Sequence, residues 1–372
     1  MPSPSLRVAP VKSAFVGVGE VRDEWEELAR STRAAPWLWP GWFEAWQPAF
    51  APDARLTLGV LRDEDRVVAL MPLLQTKGRL SAPANFHSPG YGFIAEDEAS
   101  RRALAAAVLD AQPHALQFRQ IATEGADAAV VSEVAGERGY RLAARVVERQ
   151  PFARMDGDWG TFVARLDRHR RNEIARSRRR LSERGVVSVE SVAPGEAELA
   201  GLLREGFAVE SSGWKGREGT AIVSQPGTLA FYSNLAAWAA AEGWLRLGFL
   251  RLDGRAIAFE YMLEHGDSLF FLKGGYEEGF RSLGPGILLL HDLLATSSER
   301  GVRHVELLGG DEPYKLCWAD GVRPLAMLAA LAPTLGGRVE YAIRASLLAL
   351  RAAARTARRA MRRSGHAAHS RG

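Results

Sequence analysis

One short loop has the residue types and spacing to bind a phosphate group. It consists of Arg281, Ser282, Leu283, Gly284, Pro285 and Gly286, between a predicted strand over 268–274 and a predicted helix over 287–300. Such a loop can present successive backbone N–H groups to a pyrophosphate, beside a helix N-terminus whose dipole favours anions. Glycine permits a close approach and unusual φ angles, and proline suits a first helical turn. The pattern therefore predicts an anion-binding loop, although an ordinary helix start with a Pro-Gly turn would have the same residues.

Two basic segments stand out in an otherwise acidic chain. Residues 165–184 hold nine Arg and three acidic residues, residues 341–372 hold eight Arg and none, and the whole chain has a net charge of +4. The first segment lies in a helix predicted over 159–184. One interpretation is an anion-binding surface for a nucleotide, a tRNA acceptor stem or an anionic glycan. The other is a solvated helix. The second predicts a basic helical tail that either contacts an anionic membrane surface or is solvated.

The elements predicted around the loop alternate between strands and helices, which indicates an α/β protein. Trp42, Phe43 and Trp46 recur at helical spacing and are expected to pack in a core. A domain boundary is expected near Gln150 and Pro151. Strands are expected over 56–61, 66–74, 186–192, 245–252, 256–264, 268–274 and 304–310, and further helices over 99–109, 126–138, 196–211 and 227–241.

The two halves share a short repeat. LTLGVLR at 56–62 and LRLGFLR at 245–251 agree at five of seven positions, 189 residues apart. Each continues through an acidic turn into a second apolar strand. A repeat at this period indicates duplication of a domain.

Composition excludes several classes of protein. Of the 372 residues, 47% are hydrophobic and 25% are charged, as in ordinary globular proteins. The sequence has no run of 18 apolar residues, so no transmembrane helix is expected. The single cysteine, Cys317, excludes an intramolecular disulfide and a Cys-rich zinc site, and the eight His residues lack metal-ligand spacing, so no metal is expected.

The loop and its neighbours resemble a known family. The loop resembles the pyrophosphate-binding motif of GNAT acyltransferases. The surrounding segments are similar, in order, to those of the CelD-type acetyltransferases of polysaccharide biosynthesis, which are related to the FemAB-type aminoacyl transferases. These segments are HRRNEIARSRRRLSERG (169–185), SGWKGREGTAI (212–222), FYSNLAAWAAAEGWLRLGFLRLDGRAIAF (231–259), LKGGYEEGFRSLGPG (272–286) and LLGGDEPYK (307–315).

This resemblance implies an α/β fold of tandem GNAT-like domains with mixed twisted sheets flanked by helices. Residues 1–150 would form a degenerate first domain, residues 151–340 the acyltransferase domain, and residues 341–372 the basic tail. The segment HSPGYG at 87–92 has no R-x-x-G-x-G pattern, so the first domain is expected to lack a donor site.

The resemblance also implies transfer of an acyl group, expected to be acetyl, from acyl-CoA to an amine of a small molecule or glycan. The loop 281–286 would bind the donor, and Trp214, Lys215 and Lys315 would bind the acceptor. Asp311 or a bridging water would be the base, and Tyr314 the acid that protonates the leaving thiolate.

Several alternatives stay open at this point. Glu260 and Glu264 share one face of a predicted strand and are alternative bases. An aminoacyl-tRNA-dependent transferase, with the Arg-rich helix holding the RNA, is a second function. A non-catalytic GNAT-fold scaffold at the membrane surface is a third. The expected location is the cytoplasm, with peripheral contact to the inner face of the membrane through the basic tail.

Overall fold

One mixed sheet extends through both halves of the chain. The computed structural model describes residues 14–350. Its strands are β1 (Ala14–Val16), β2 (Arg55–Asp63), β3 (Arg66–Thr76), β4 (Arg79–Ser81), β5 (Ile94–Ala95), β6 (Ala115–Ala122), β7 (Arg141–Arg154), β8 (Val187–Val192), β9 (Leu245–Leu252), β10 (Arg255–His265), β11 (Ser268–Tyr276), β12 (His304–Glu306) and β13 (Gly321–Leu331).

Helices flank this sheet. They are α1 (Arg22–Ser31), α2 (Pro40–Phe50), α3 (Glu98–Asp110), α4 (Ala126–Glu137), α5 (Trp159–Arg165), α6 (Arg168–Ser182), α7 (Glu196–Ser211), α8 (Trp214–Arg217), α9 (Pro226–Ala241), α10 (Pro285–Glu299), α11 (Pro313–Leu316) and α12 (335–350). The predicted α/β class, with a large mixed sheet between helices, is confirmed. The predicted tail is helical over 341–350, and its residues 351–372 lie outside the described part of the chain.

The strand order joins the two halves. It is β1-β2-β3-β4-β6-β13-β7-β12-β11-β10-β9-β8, with β5 paired to β3. The last strand of the chain, β13, lies between β6 and β7, and β7 also pairs with β12. The boundary predicted at Gln150 and Pro151 therefore falls within β7, a strand of 14 residues, and the sheet continues across it. The division into domains 1–150, 151–340 and 341–372 stays a prediction.

The sequence repeat marks corresponding places at the two ends of the sheet. Its glycines, Gly59 in β2 and Gly248 in β9, each lie beneath a helix. A Cβ atom at Gly59 would lie 3.0 Å from Val108 of α3, and one at Gly248 would lie 2.6 Å from Leu293 of α10. Glycine in a strand marks such close approaches. Helix α3 therefore crosses β2 as α10 crosses β9.

The aromatic segment connects the halves through the core. Trp42, Phe43 and Trp46 of α2 are buried, which confirms the expected core packing. The Trp42 ring lies edge-on to Phe231 of α9, with ring centroids 5.3 Å apart. A Cβ atom at Gly41 would lie 2.2 Å from Trp238 Nε1, so the two helices pack closely only because this residue is glycine.

The long basic helix expected over 159–184 is in fact two helices. Leu166 has extended backbone angles, and α6 begins after Asp167, whose Oδ1 accepts the Arg170 N–H at 2.7 Å. Aspartate at this position satisfies a backbone donor that would otherwise have no partner in the first turn. The prediction of one continuous helix was wrong because it overlooked this cap.

Candidate active site

A cavity of about 900 Å³ lies between the two halves of the chain. The first half contributes residues 86–89 together with Glu148 and Gln150 of β7. The second half contributes one face of α6, β10, β11 and the segments around α8 and α11. The volume falls within the range of roughly 300–1,000 Å³ that is typical of small-molecule sites.

The predicted anion-binding loop lines this cavity along its whole length, 281–286. A 3₁₀ turn over Glu278–Leu283 ends at Gly284, which has φ +67° and ψ +44°, and α10 follows at Pro285. A Cβ atom at Gly284 would lie 2.5 Å from Ser177 Oγ on α6. Both the left-handed backbone and the packing therefore require glycine here. No side chain caps α10, so the N–H groups of its first turn remain available to an anion.

The corresponding helix of the first half begins differently. Asp97 caps α3, and its Oδ1 accepts the Ser100 N–H at 2.7 Å. This hydrogen bond lowers the pKa of Asp97, so the carboxylate is charged at neutral pH. An anion at the N-terminus of α3 would be repelled by this charge, whereas the N-terminus of α10 carries no such group.

The Arg-rich helix α6 has two different faces. Arg176 and Arg180 line the cavity with Ser177, beside the loop. Arg170 is buried instead and donates to Glu173 at 2.8 Å and to Cys317 Sγ at 2.9 Å. The helix is therefore partly structural, and its cavity face adds positive charge next to the anion-binding loop.

Glu260 of β10 is a carboxylate on the side of the cavity formed by the second half. A Cβ atom on the paired residue, Gly274, would lie 2.1 Å from Glu260 Oε2, so the carboxylate lies over the neighbouring strand. Burial raises the pKa of Glu260 to about 7, although Lys215 and Lys315 oppose this shift. Glu264, farther along the same strand, pairs with Arg300 at 2.6 Å and does not line the cavity.

The predicted acid and base lie in different surroundings. Tyr314 on α11 lines the cavity and is half exposed. Partial burial and the Glu260 carboxylate raise the pKa of its phenol, which is neutral at pH 7. Asp311 does not line the cavity. Its Oδ2 accepts from Arg149 Nε at 2.9 Å near the surface. The strand predicted over 304–310 ends at Glu306, and positive φ angles at Leu308 and Gly309 redirect the chain toward α11.

The predicted acceptor-binding lysines both line the cavity. Lys215 donates to the Gly274 carbonyl and lies 3.5 Å from Glu210. Lys315 donates to the Leu308 carbonyl at 2.7 Å and pairs with Glu312 at 3.0 Å. Trp214 is the first residue of α8, and its side chain lies outside the described part of the structure. Within residues 14–350, no group of three or more His, Cys, Asp or Glu side chains is placed to hold a metal ion.

Comparison with known proteins gives the fold. The sequence model described as an acetyltransferase (GNAT) domain matches residues 168–316, which include α6, Glu260 and the loop. The chain has a GNAT acetyltransferase-like fold. No curated protein sequence matches it.

Several solved structures superpose on both halves of the chain. FemX superposes with a TM-score of 0.60 at 11% identity, over 87% of this chain and 98% of FemX. The C-terminal domain of a putative lysylphosphatidylglycerol synthetase from Agrobacterium fabrum has a TM-score of 0.55 at 13% identity, over 89% and 97% of the two chains. L-PGS from Bacillus licheniformis has a TM-score of 0.52 at 14% identity, over 87% and 96%. At these identities the likeness concerns the fold.

The cavity combines a loop that can bind an anion with side chains that can transfer a proton. The N–H groups at the start of α10 have no side-chain cap and can accept an anion, and a carboxylate whose pKa is about 7 lies near a neutral phenol. A carboxylate with that pKa can accept a proton at neutral pH, and a neutral phenol can supply one. The arrangement is therefore suited to proton transfer beside a bound anionic substrate.

Proposed function

We propose that the protein transfers an acyl group from acyl-CoA to an amine acceptor. The observation that carries this proposal is the common cavity of the loop 281–286, Glu260 and Tyr314. The donor pyrophosphate would bind to the loop and to the N-terminus of α10, with Arg176 and Arg180 adding positive charge. The acetyl group, the glycan or small-molecule acceptor and the CelD-type branch remain part of this proposal.

In this proposal Glu260, rather than Asp311, removes the proton from the attacking amine. Asp311 is paired with Arg149 and lies off the cavity, whereas Glu260 lines it with a pKa of about 7. The amine nitrogen forms a bond to the thioester carbonyl carbon, and the carbon–sulfur bond then breaks. Tyr314 protonates the leaving thiolate, and Lys215 and Lys315 help to bind the acceptor.

Binding of the donor can be tested by thermal unfolding with CoA, acetyl-CoA and longer acyl-CoAs. A ligand at 100 times its Kd adds about 2.7 kcal/mol to stability, which is expected to raise the Tm by a few degrees. Gly284→Glu should abolish this rise, because it puts a carboxylate against Ser177 at the anion site. Gly279→Glu is the matched control, since nothing lies within 4 Å of a Cβ atom there. A Tm that no CoA compound raises would contradict the acyl-CoA proposal.

The second candidate is an aminoacyl-tRNA-dependent transferase. It is favoured by the likeness to FemX across both halves and by the basic cavity face of α6. In that case tRNA should bind with an affinity that falls steeply with salt, because phosphate contacts release counterions. The third candidate, a non-catalytic scaffold, would bind neither donor.

We also propose that α12 contacts an anionic membrane surface. Leu335, Val339, Ile343, Leu347 and Leu350 are exposed and fall on one side of this helix. Glu340 and Arg344, on another side, bind Arg79 and Gln117 of the sheet. The residues after 350 add seven Arg and no acidic residue. An apolar face followed by positive charge suits an anionic bilayer interface, and no helix within residues 14–350 is long and apolar enough to cross a membrane.

Sedimentation with lipid vesicles tests the membrane proposal. The protein should sediment with vesicles that contain phosphatidylglycerol and remain in solution with purely zwitterionic vesicles. Ile343→Asp together with Leu347→Asp should abolish sedimentation, because both side chains are exposed on the apolar face. Equal binding to both vesicle types, or no loss in the double variant, would contradict the proposal.

A further inference from the structure

One lysine of the cavity lies beside an irregular point in the sheet. Lys273 pairs with Tyr261 of β10, and Phe271 pairs with the next residue, Met262. Leu272, between them, is therefore an extra residue that forms a bulge in β11. A bulge of this kind re-aims the side chains beside it. Lys273 lines the cavity, and within residues 14–350 no hydrogen bond or ion pair reaches its ammonium group.

The charged groups around Lys273 do not neutralise it. Burial and the nearby ammonium of Lys215 lower the pKa of Lys273 to about 8, although Glu210 opposes the shift. Glu210 is already committed, since its Oε2 accepts the Ile222 N–H at 2.9 Å and its Oε1 lies 3.5 Å from Lys215. Burial and, as the smaller cause, the positive charge of Lys273 lower the pKa of His87 to about 3, so His87 is neutral at pH 7. A partly buried ammonium without a counterion is a strong site for an anion.

The first half places a fixed carboxylate in the same cavity. Glu148 of β7 accepts from Gln120 Nε2 at 2.6 Å and from Gln150 Nε2 at 2.9 Å, one amide on each oxygen. Gln120 is buried and has φ +61°, an unfavourable backbone conformation for a residue other than glycine. No cationic side chain within residues 14–350 pairs with Glu148. The carboxylate is thus oriented in advance and keeps lone pairs for a further donor.

We infer that the acceptor carries an anionic group, a carboxylate or a phosphate, which binds Lys273, together with a hydroxyl or ammonium group that donates to Glu148. The acceptor class is therefore an amine that itself bears an anion, such as an amino acid or an amino-sugar phosphate. This inference rests on the proposed acyl transfer, because it specifies which amines reach the cavity. The inference gives Glu148, from the first half, a direct contact with the acceptor.

Lysine NMR can test the site without any donor. The chain has only five lysines, at positions 12, 77, 215, 273 and 315, so each ¹³C-methylated lysine can be assigned by single replacement. In the free protein the Lys273 signal should titrate near pH 8. Glucosamine 6-phosphate and alanine are the two probes that bear an anionic group, with glucosamine and alaninamide as the matched amines that lack it. Binding of the correct anionic probe should move the Lys273 titration toward the ordinary value for lysine, about 10.4, because a nearby anion favours the charged form.

The two probe pairs also separate a phosphate from a carboxylate. A response to glucosamine 6-phosphate alone indicates a phosphate, and a response to alanine alone indicates a carboxylate. An unchanged Lys273 titration with both probes that bear an anionic group, or an equal change with the matched amines that lack it, would overturn the inference. Because no acyl-CoA is present, this result is independent of the donor test with Gly284→Glu.

Matched variants give a second measurement. Lys273→Gln should weaken binding of the responding probe by about 10- to 100-fold, as expected for loss of one charge-assisted contact. Glu148→Gln should weaken it by a similar factor, and Lys77→Gln, at an exposed turn, should leave it unchanged. The rise in Tm with acetyl-CoA should persist in the Lys273 variant, which separates loss of the acceptor site from loss of the fold. Wild-type affinity in both the Lys273 and Glu148 variants would contradict the assignment.

Discussion

Glu260→Gln is expected to lower kcat by about 10²- to 10⁴-fold, the usual contribution of a general base. The replacement keeps the shape of the side chain and removes its ability to accept the proton. Because the pKa of Glu260 is raised to about 7, the base is deprotonated above that pH. Wild-type activity should therefore rise with pH through about 7 and then level off, and the variant should lack this rise. Steady-state release of free CoA, measured from pH 5.5 to 9, checks both expectations.

Two further variants make the result for Glu260 specific. Glu264→Gln alters a carboxylate on the same strand that pairs with Arg300 away from the cavity, so the pH dependence should not change. Asp311→Asn tests the base first predicted from the resemblance, and it should retain the wild-type pH profile because Asp311 pairs with Arg149 off the cavity. If the Asp311 variant loses the rise with pH and the Glu260 variant keeps it, Asp311 is the base.

Trp42→Ala is expected to lower the free energy of unfolding by about 3–5 kcal/mol, the usual cost of removing a large buried aromatic side chain. Only 1% of the Trp42 side chain is exposed, and its ring packs against Phe231 from the other half of the chain. Chemical denaturation followed by circular dichroism measures the change. Leu335→Ala, at a side chain that is 81% exposed, should cost less than about 0.5 kcal/mol. A loss below about 1 kcal/mol in the Trp42 variant would mean that this contact does not stabilise the junction of the halves.

Local sequence patterns predicted the loop 281–286 and the elements on either side of it. The loop 281–286, the strand before it and the helix after it depend on neighbours in the chain, and glycine and proline identify such places. These features could be recognised because short-range constraints determine them.

The meeting of Glu148 and Lys273 in one cavity could not be predicted in the same way. Glu148 and Lys273 are 125 positions apart in the sequence, and neither lies in a pattern that marks a site. They share a cavity because β7 pairs with β12, which joins the first half to the second. For a related reason, the sequence did not indicate that Glu260 lines the cavity and Asp311 does not. The positive φ angles at Leu308 and Gly309 turn the chain, so Tyr314 and Lys315 line the cavity and Asp311 does not.

Two long strands also escaped prediction because their composition favours helix. β7 (RLAARVVERQPFAR) and β13 (GVRPLAMLAAL) are rich in Ala, Leu and Arg, which are good helix formers. Each is a strand because it pairs on both sides with partners distant in the sequence, and such tertiary pairing overrides weak local preference.

The insertion of β13 between β6 and β7 has a consequence for how the protein is made. Until the ribosome has synthesised residues 321–331, β6 and β7 each have an edge without its final neighbour. Unpaired strand edges bind other chains readily. A nascent chain that stops before Gly321 would leave both edges open, although it already contains the whole cavity lining, from Phe86 to Lys315. The half of the protein that is translated first is therefore the half whose sheet is completed last.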